Sequence, residues 1–421
     1  MRGRPARRVV ISGLGIVAPN GLGKEAFWKS LVAGESAINY ISAFDASPYP
    51  CEVAAEIRDF TPHDFMSRRS ARELWRFSQF AVAASRMAIE DAGLDMSPQR
   101  QHRIGACFGT CVSGVEKVYS SFDAVRQSGY RDLHPLTSFQ YSTHAPVAHV
   151  TVDLGIKGPT MTLASGCSTG LDVIKWGCDQ IQTGAASAVL AGSTEAPLTP
   201  MVFSTWAALG ILAKRTSDPT RASRPYDATR DGLVLGEGAG VVLLESLEDA
   251  VDRGATIYAE VKGFAIASEA VGLRKVQADG STLARAIELA LRRSDYEPHD
   301  IDYIYAHGNS SQDLDAAETE AFKLALGHRA YSTPISSIKS MIGQPIAASG
   351  ILQAISTALT IRHEIIPPTI NYRVRDPQCD LDYVPNNARP ARVRRALVNA
   401  HAIGGTHSVL VLSAPGVIDG D

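Results

Sequence analysis

The sequence has no excess charge of either sign, no long apolar run and no cysteine framework. Its 41 basic residues stand against 44 acidic ones, a net charge of −3, so no global basic field points to nucleic acid or anionic lipid. No apolar stretch reaches the roughly 18 residues that a membrane-spanning helix requires, and no membrane span is expected. The six cysteines (Cys51, Cys107, Cys111, Cys167, Cys178, Cys379) are scattered. Only Cys107 and Cys111 lie close together, without a second pair to complete a zinc site, so no metal is expected. Free thiols suit a reducing cytoplasm. The opening MRGRPARRVVISGLGIVAPNG starts like a secretion signal, but Gly13 and Gly15 break its apolar segment and no small-residue cleavage site follows. It reads as a buried first strand and a turn.

Strand-like and helix-like segments alternate along the 421 residues, which predicts an α/β fold with mixed or parallel sheets. RRVVISGLGIV, RIGACFGT and SAVLAGSTE read as buried strands. FSQFAVAASRMAIEDAG carries apolar positions at helical spacing and ends at Gly93. The pattern restarts near Gly254, with strand IYAEVKGFAIAS, helix STLARAIELALRRS, strand DIDYIYAHG, helix SGILQAISTALTIRH and a glycine-interrupted hairpin to SVLVLSA. Two similar halves follow, residues 1–255 and 256–421. No Pro/Ser-rich linker separates them, so they are expected to pack as one body.

The stretch MTLASGCSTGLD places Cys167 among small residues at the start of a helix-like run. Taken alone it is either a small core residue or a nucleophile, since a helix N-terminus lowers a thiol's pKa. His307 ends a buried strand before an acidic helix, and Lys339 sits in the small, polar loop SSIKSMIGQ. NAHAIGGTHS is a glycine-rich turn whose amides suit a developing oxyanion.

Together with FMSRRSARELWRFSQF, ASRPYDATRDGLVLGEGAG and AHGNSSQDLDAAE, these collinear blocks resemble the β-ketoacyl-acyl carrier protein synthases. The likeness is greatest to the KAS II-like condensing enzymes and polyketide ketosynthases of the thiolase fold. It implies a five-layer αβαβα body and an acyl-accepting Cys167, with an oxyanion hole from the backbone amides of Cys167 and Ile403. His307 matches an enolate-stabilising histidine, and Lys339 and Glu318 match a charged pair that holds it. Asn309 and Ser311 stand where the family contacts pantetheine, and Arg68, Arg69 and Arg72 where it docks the carrier. Val112, Phe139 and Tyr141 stand where an acyl tunnel is lined. The implied partners are acyl carrier protein, acyl and malonyl thioesters, and a second ketosynthase-like chain in a homodimer or heterodimer. No cofactor is implied, because phosphopantetheine arrives on the carrier.

The largest departure is Gln344, which stands where the family has a second histidine. Its amide still donates, but it carries no proton in or out. Losing one oxyanion donor costs about 2.7–4 kcal/mol, roughly 10²–10³ in rate. Elongation is the step expected to suffer, and acyl transfer to Cys167 is expected to be unaffected. His401 and His407 replace an aromatic residue and an asparagine; each is a candidate for a compensating donor, but they read first as packed or surface histidines. A condensing enzyme is the leading reading, beside a non-elongating acyltransferase and a non-catalytic chain-length partner. Retention of Cys167 speaks against the last.

Overall fold

The computed structural model describes residues 7–214 and 217–416, so the first six residues of the basic opening lie outside it. The N-terminal half runs β1 (Val9–Ala18), α1 (Arg68–Glu73), α2 (Arg76–Ala92), β2 (Ile104–Gly109), α3 (Val115–Ser128), α4 (Thr137–Tyr141), β3 (Thr160–Leu163), α5 (Thr169–Gln182), β4 (Ala188–Glu195), α6 (Pro200–Leu209) and β5 (Gly238–Ser246). The C-terminal half runs β6 (Ala259–Ser268), α7 (Ser281–Arg293), β7 (Tyr303–Tyr305), α8 (Gln312–Leu326), β8 (Ile335–Ser336), α9 (Ala348–His363), β9 (Arg395–Ala402) and β10 (Thr406–Ser413).

Ten strands share one hydrogen-bonded path, β8-β7-β9-β10-β6-β1-β5-β4-β2-β3. Each half uses the same order and sense. In the first, β2 pairs parallel with β3 and β4, and β5 pairs antiparallel with β4 and β1. In the second, β7 pairs parallel with β8 and β9, and β10 pairs antiparallel with β9 and β6. The repeat that residue identity conceals is thus plain in the topology. Among the described residues the sheet crosses from one half to the other where Val9–Ile11 of β1 pairs with Ala259–Val261 of β6.

Layers follow from burial. Helix α2 turns Phe77, Phe80, Ala81, Ala84 and Ala88 to the outer face of the first half-sheet, and its left-handed cap at Gly93 ends it as the sequence predicts. Helix α7 covers the second half-sheet with Leu283, Ile287, Ala290 and Leu291. Between the half-sheets lie α5 and α9, and α9 is buried continuously from Ala348 to Ile361. The result is the five-layer body of the thiolase-like fold. The two central helices touch backbone to backbone: a Cβ on Gly170 would stand 2.1 Å from the Ile351 nitrogen, so only glycine permits the approach.

Two features differ from the sequence reading. A 3₁₀ turn, Gly166–Ser168, precedes α5, so Cys167 lies just before the α-helix. The arm formed by α3 and α4 was not read from the sequence, although Val115, Val118, Tyr119, Phe122 and Val125 recur at helical spacing; the stripe faces away from this chain's core, and α3 buries none of its residues. No helix among the described residues is long and apolar enough to cross a membrane.

Candidate active site

Strand β3 delivers the chain to a sharp elbow. Gly166 holds φ +70°, and a Cβ there would lie 2.8 Å from that of Ala402, so the position demands glycine twice over. The elbow buries Cys167 beneath the β9–β10 turn. The Gln344 side chain, the Lys339 charge and the Ile403 N–H each pull its thiol towards the thiolate. Burial nevertheless outweighs these, and the thiol is pushed up to about 11. The expected thiolate at a helix terminus is therefore not the resting state, because the elbow is closed from water.

His307 follows β7 and is gripped through its backbone. Its N–H donates to Glu318 Oε1 at 2.7 Å, the Gly308 N–H donates to Oε2 at 2.9 Å, and the His307 carbonyl accepts from Lys339 Nζ at 2.5 Å. Lys339 and Glu318 are thus not ion-paired with each other; each clamps the histidine loop. The His401 N–H donates to His307 Nδ1 at 3.1 Å. A backbone amide can only donate, so the imidazole proton sits on Nε2. Burial first, then the Lys339 charge, pushes this imidazole well below the usual histidine range, and it is neutral. Lys339 is itself pushed down to about 8 by burial, with the Glu318 charge opposing.

The Glu318 carboxylate also accepts from Asn399 Nδ2 at 2.7 Å and the Tyr226 hydroxyl at 2.5 Å. Tyr226 stacks on Tyr383 with ring centres 3.9 Å apart. Asp315 receives the N–H groups of Tyr226 and Asn309, and buried Arg230 lies 3.6 Å from it. This explains the motif ASRPYDATRDG, whose residues brace the His307 loop. Gln344 is pinned by its own backbone, to Val234 O at 2.8 Å and from Gly236 N at 3.0 Å, and Ser349 reaches its Oε1 at 3.4 Å. Its side chain lines the cavity beside Cys167. Gln344 thus belongs to the sulfur's environment, at the position where a second histidine was expected.

Cys167, His307, Asn309, Ser311, Gln344 and His401 line one cavity of about 160 Å³. Its apolar wall comes from Trp206, Leu209, Ile211 and Leu233 rather than from the expected tunnel residues. Val112 packs against the core cluster around Cys167, while Phe139 and Tyr141 stand exposed on α4, in the arm that packs little against this chain. Arg68, Arg69 and Arg72 are exposed on α1, outside the cavity, with Arg69 ion-paired to Glu73 at 2.8 Å.

Three supporting groups escaped the sequence reading. Glu195 ends β4 fully buried and gathers the Cys111, Val112 and Ser113 N–H groups at 2.8–3.1 Å, which shapes the loop beside the elbow. A glutamate closing an apolar strand was the available signal. Asn399 and Glu269 gave none. His401 and His407 are both buried, not at the surface, because β9 and β10 pair them within the core. With Glu269 they form a group whose donor atoms lie within 4.8 Å of one another. They already hydrogen-bond among themselves, so the geometry calls for no metal.

A reacting carbonyl in this cavity would meet donors from Ile403, Gln344 and His307 beside a single sulfur, an arrangement suited to acyl transfer. The sequence matches the family models described as beta-ketoacyl synthase N-terminal domain over residues 6–250 and C-terminal domain over residues 258–373. It is 42% identical over 419 residues to the tetracenomycin polyketide synthase ketoacyl synthase alpha subunit of Streptomyces glaucescens, covering 97% of each chain. It is 38% identical over 407 residues to a 3-oxoacyl-(acyl-carrier-protein) synthase 2 of Coxiella burnetii, covering 97% of this chain and 98% of that one. The ishigamide ketosynthase/chain length factor superposes with a TM-score of 0.90 at 32% identity, over 98% of this chain and 100% of that one. A beta-ketoacyl synthase from Burkholderia phymatum gives 0.89 at 32% identity, over 97% and 99%. Fold, site and sequence agree: this chain belongs to the β-ketoacyl synthase family.

Proposed function

We propose that the protein is a condensing enzyme of fatty-acid or polyketide biosynthesis, taking an acyl group from a carrier protein onto Cys167 and extending it with malonyl-carrier protein. One observation carries this: a buried thiol shares its cavity with donors from Ile403, Gln344 and the proton-bearing Nε2 of His307. In the first half-reaction the sulfur attacks the thioester carbonyl, and the Cys167 and Ile403 amides hold the oxygen. In the second, malonyl loses carbon dioxide and its enolate oxygen accepts from His307. Glu318 and Lys339 keep that imidazole in place. Asn309 and Ser311 hold pantetheine at the cavity's polar side, and Arg68, Arg69 and Arg72 meet an acidic carrier. No resident cofactor takes part.

The non-elongating acyltransferase is the second reading, favoured by Gln344, an amide beside Cys167 that carries no proton in or out. Two assays separate them. Intact mass after mixing with acyl-carrier protein is expected to show one acyl adduct, absent in Cys167→Ala. Carbon dioxide release with a 3-oxoacyl product from malonyl-carrier protein supports condensation. An adduct with no release would leave only the transferase, and an adduct surviving in Cys167→Ala would refute both.

A further inference from the structure

Three strands end together behind the cavity. His401 on β9 pairs with His407 on β10, His407 pairs with Ala267 on β6, and Glu269 follows two residues on. The Glu269 N–H donates to the Gly405 carbonyl at 2.9 Å, which ties its backbone to the β9–β10 turn. Hydrogen-bonded sheet, not free loop, therefore presents all three side chains, as a precise site requires.

Glu269 Oε1 lies 2.8 Å from His407 Nε2, and its other oxygen accepts the Gln277 N–H at 3.1 Å. His401 Nδ1 stands 3.2 Å from His407 Nδ1 and 3.3 Å from His407 Nε2, almost equally near both. One donor atom from each of the three side chains lies within 4.8 Å of the others. A zinc–nitrogen bond of about 2.0–2.1 Å puts two tetrahedral ligand atoms about 3.3 Å apart. The imidazole spacing already has that value. These side chains satisfy one another, so the fold stands without a metal, yet their atoms are spaced to take one.

A fourth group is left over. Asn399 lies two residues before His401 on β9, so both side chains emerge on one face of the strand. Its Nδ2 donates to Glu318 Oε1 at 2.7 Å, while its buried Oδ1 has no hydrogen-bond partner among the described residues. Buried acceptors left unpaired are rare in folded proteins. Asn399 lines one void with Glu269, His401 and His407, of about 10 Å³, the size of one water or one small ion.

We propose that His401, His407, Glu269 and Asn399 form a binding site for a divalent transition-metal ion of the zinc type. Two imidazoles, one carboxylate and one amide oxygen suit such borderline ions, whereas magnesium and calcium take oxygen ligands. Seated there, the ion ties the end of β6 to both arms of the turn that carries Ile403. The proposal does not rest on the reading of Cys167 as acyl acceptor.

The test is a zinc titration of untagged, metal-stripped protein at neutral pH, in competition with a chromophoric chelator. Wild type is expected to bind one equivalent, and its melting temperature should rise with zinc concentration. Magnesium at the same concentration should do neither. His401→Phe and His407→Asn restore the aromatic residue and the asparagine of the related enzymes, so both are expected to fold. Each should weaken zinc binding by about 10²-fold or more. Should either fail to fold, Glu269→Gln, which keeps the shape and loses the charge, is expected to weaken binding likewise. Cobalt in place of zinc should colour the protein without the sulfur-to-metal charge-transfer band that a cysteine ligand produces. No stoichiometric zinc binding would overturn the proposal and leave a water in the void. Unchanged affinity in the folded variants, equal binding of magnesium, or a cysteine charge-transfer band would overturn it as well.

Discussion

Replacing Glu318 by glutamine tests the bracing of the site at a single atom. Four donors converge on the carboxylate, with Oε1 serving the His307 N–H and Asn399 and Oε2 serving the Gly308 N–H and Tyr226. A glutamine presents one oxygen and one NH₂, so one pair of donors meets another donor. The cheaper orientation turns the NH₂ to the Tyr226 side, because a phenol hydroxyl can rotate and accept. The Gly308 N–H is then orphaned inside the protein, at about 1–3 kcal/mol. The surviving bonds lose their charge assistance, which adds about 1–2 kcal/mol. Glu318→Gln should therefore lower the unfolding free energy by about 2–5 kcal/mol, measured as a fall in denaturant midpoint at unchanged slope. The same slack displaces His307, so carbon dioxide release should fall by about 10²-fold, while Cys167 alkylation changes far less. A variant within 0.5 kcal/mol of wild type by about the precision of such melts, or one that decarboxylates at the full rate, would refute this account of how the loop is held.

Gln344→His should raise malonyl decarboxylation and condensation by up to about 10²–10³, one donor's worth. Acylation of Cys167 should change little; elongation lost on introducing histidine would refute the view of the amide as a deficit. Reversing Arg68 and Arg69 to glutamate should weaken acylation from carrier protein and its salt dependence while sparing a free pantetheine thioester, and equal kinetics on both substrates would remove α1 from docking. Strand β3 ends the sheet with Thr160 and Met161 exposed, and α3 presents Val118, Tyr119 and Phe122 to solvent. A second ketosynthase-like chain is expected there, so sedimentation should give about twice 45.0 kDa, falling to one chain in Met161→Asp. A wild-type mass of 45.0 kDa at working concentration would contradict it.

The order of strands and helices was legible in the sequence because local pattern carries it. Val9–Ala18 is apolar but for Ser12 and two glycines and is buried along its length, α2 repeats its apolar residues at helical spacing, and Gly93 marks its end. The candidate site was legible as residue types, since the blocks around Cys167, His307 and Lys339 keep their chemistry whatever the fold does with them. What those residues do to one another was not. The Cys167 thiol lies high rather than low, because burial under the β9–β10 turn outweighs its helix terminus. Lys339 and Glu318 do not pair, because each takes a different end of the His307 backbone. His401 and His407 lie in the core because the register of β9 on β10 sets them against each other, and Glu269, just past the end of β6 and 138 residues before His407, reaches His407. Desolvation, tautomer and hydrogen-bond direction depend on groups brought together across the chain, so only the tertiary structure decided them.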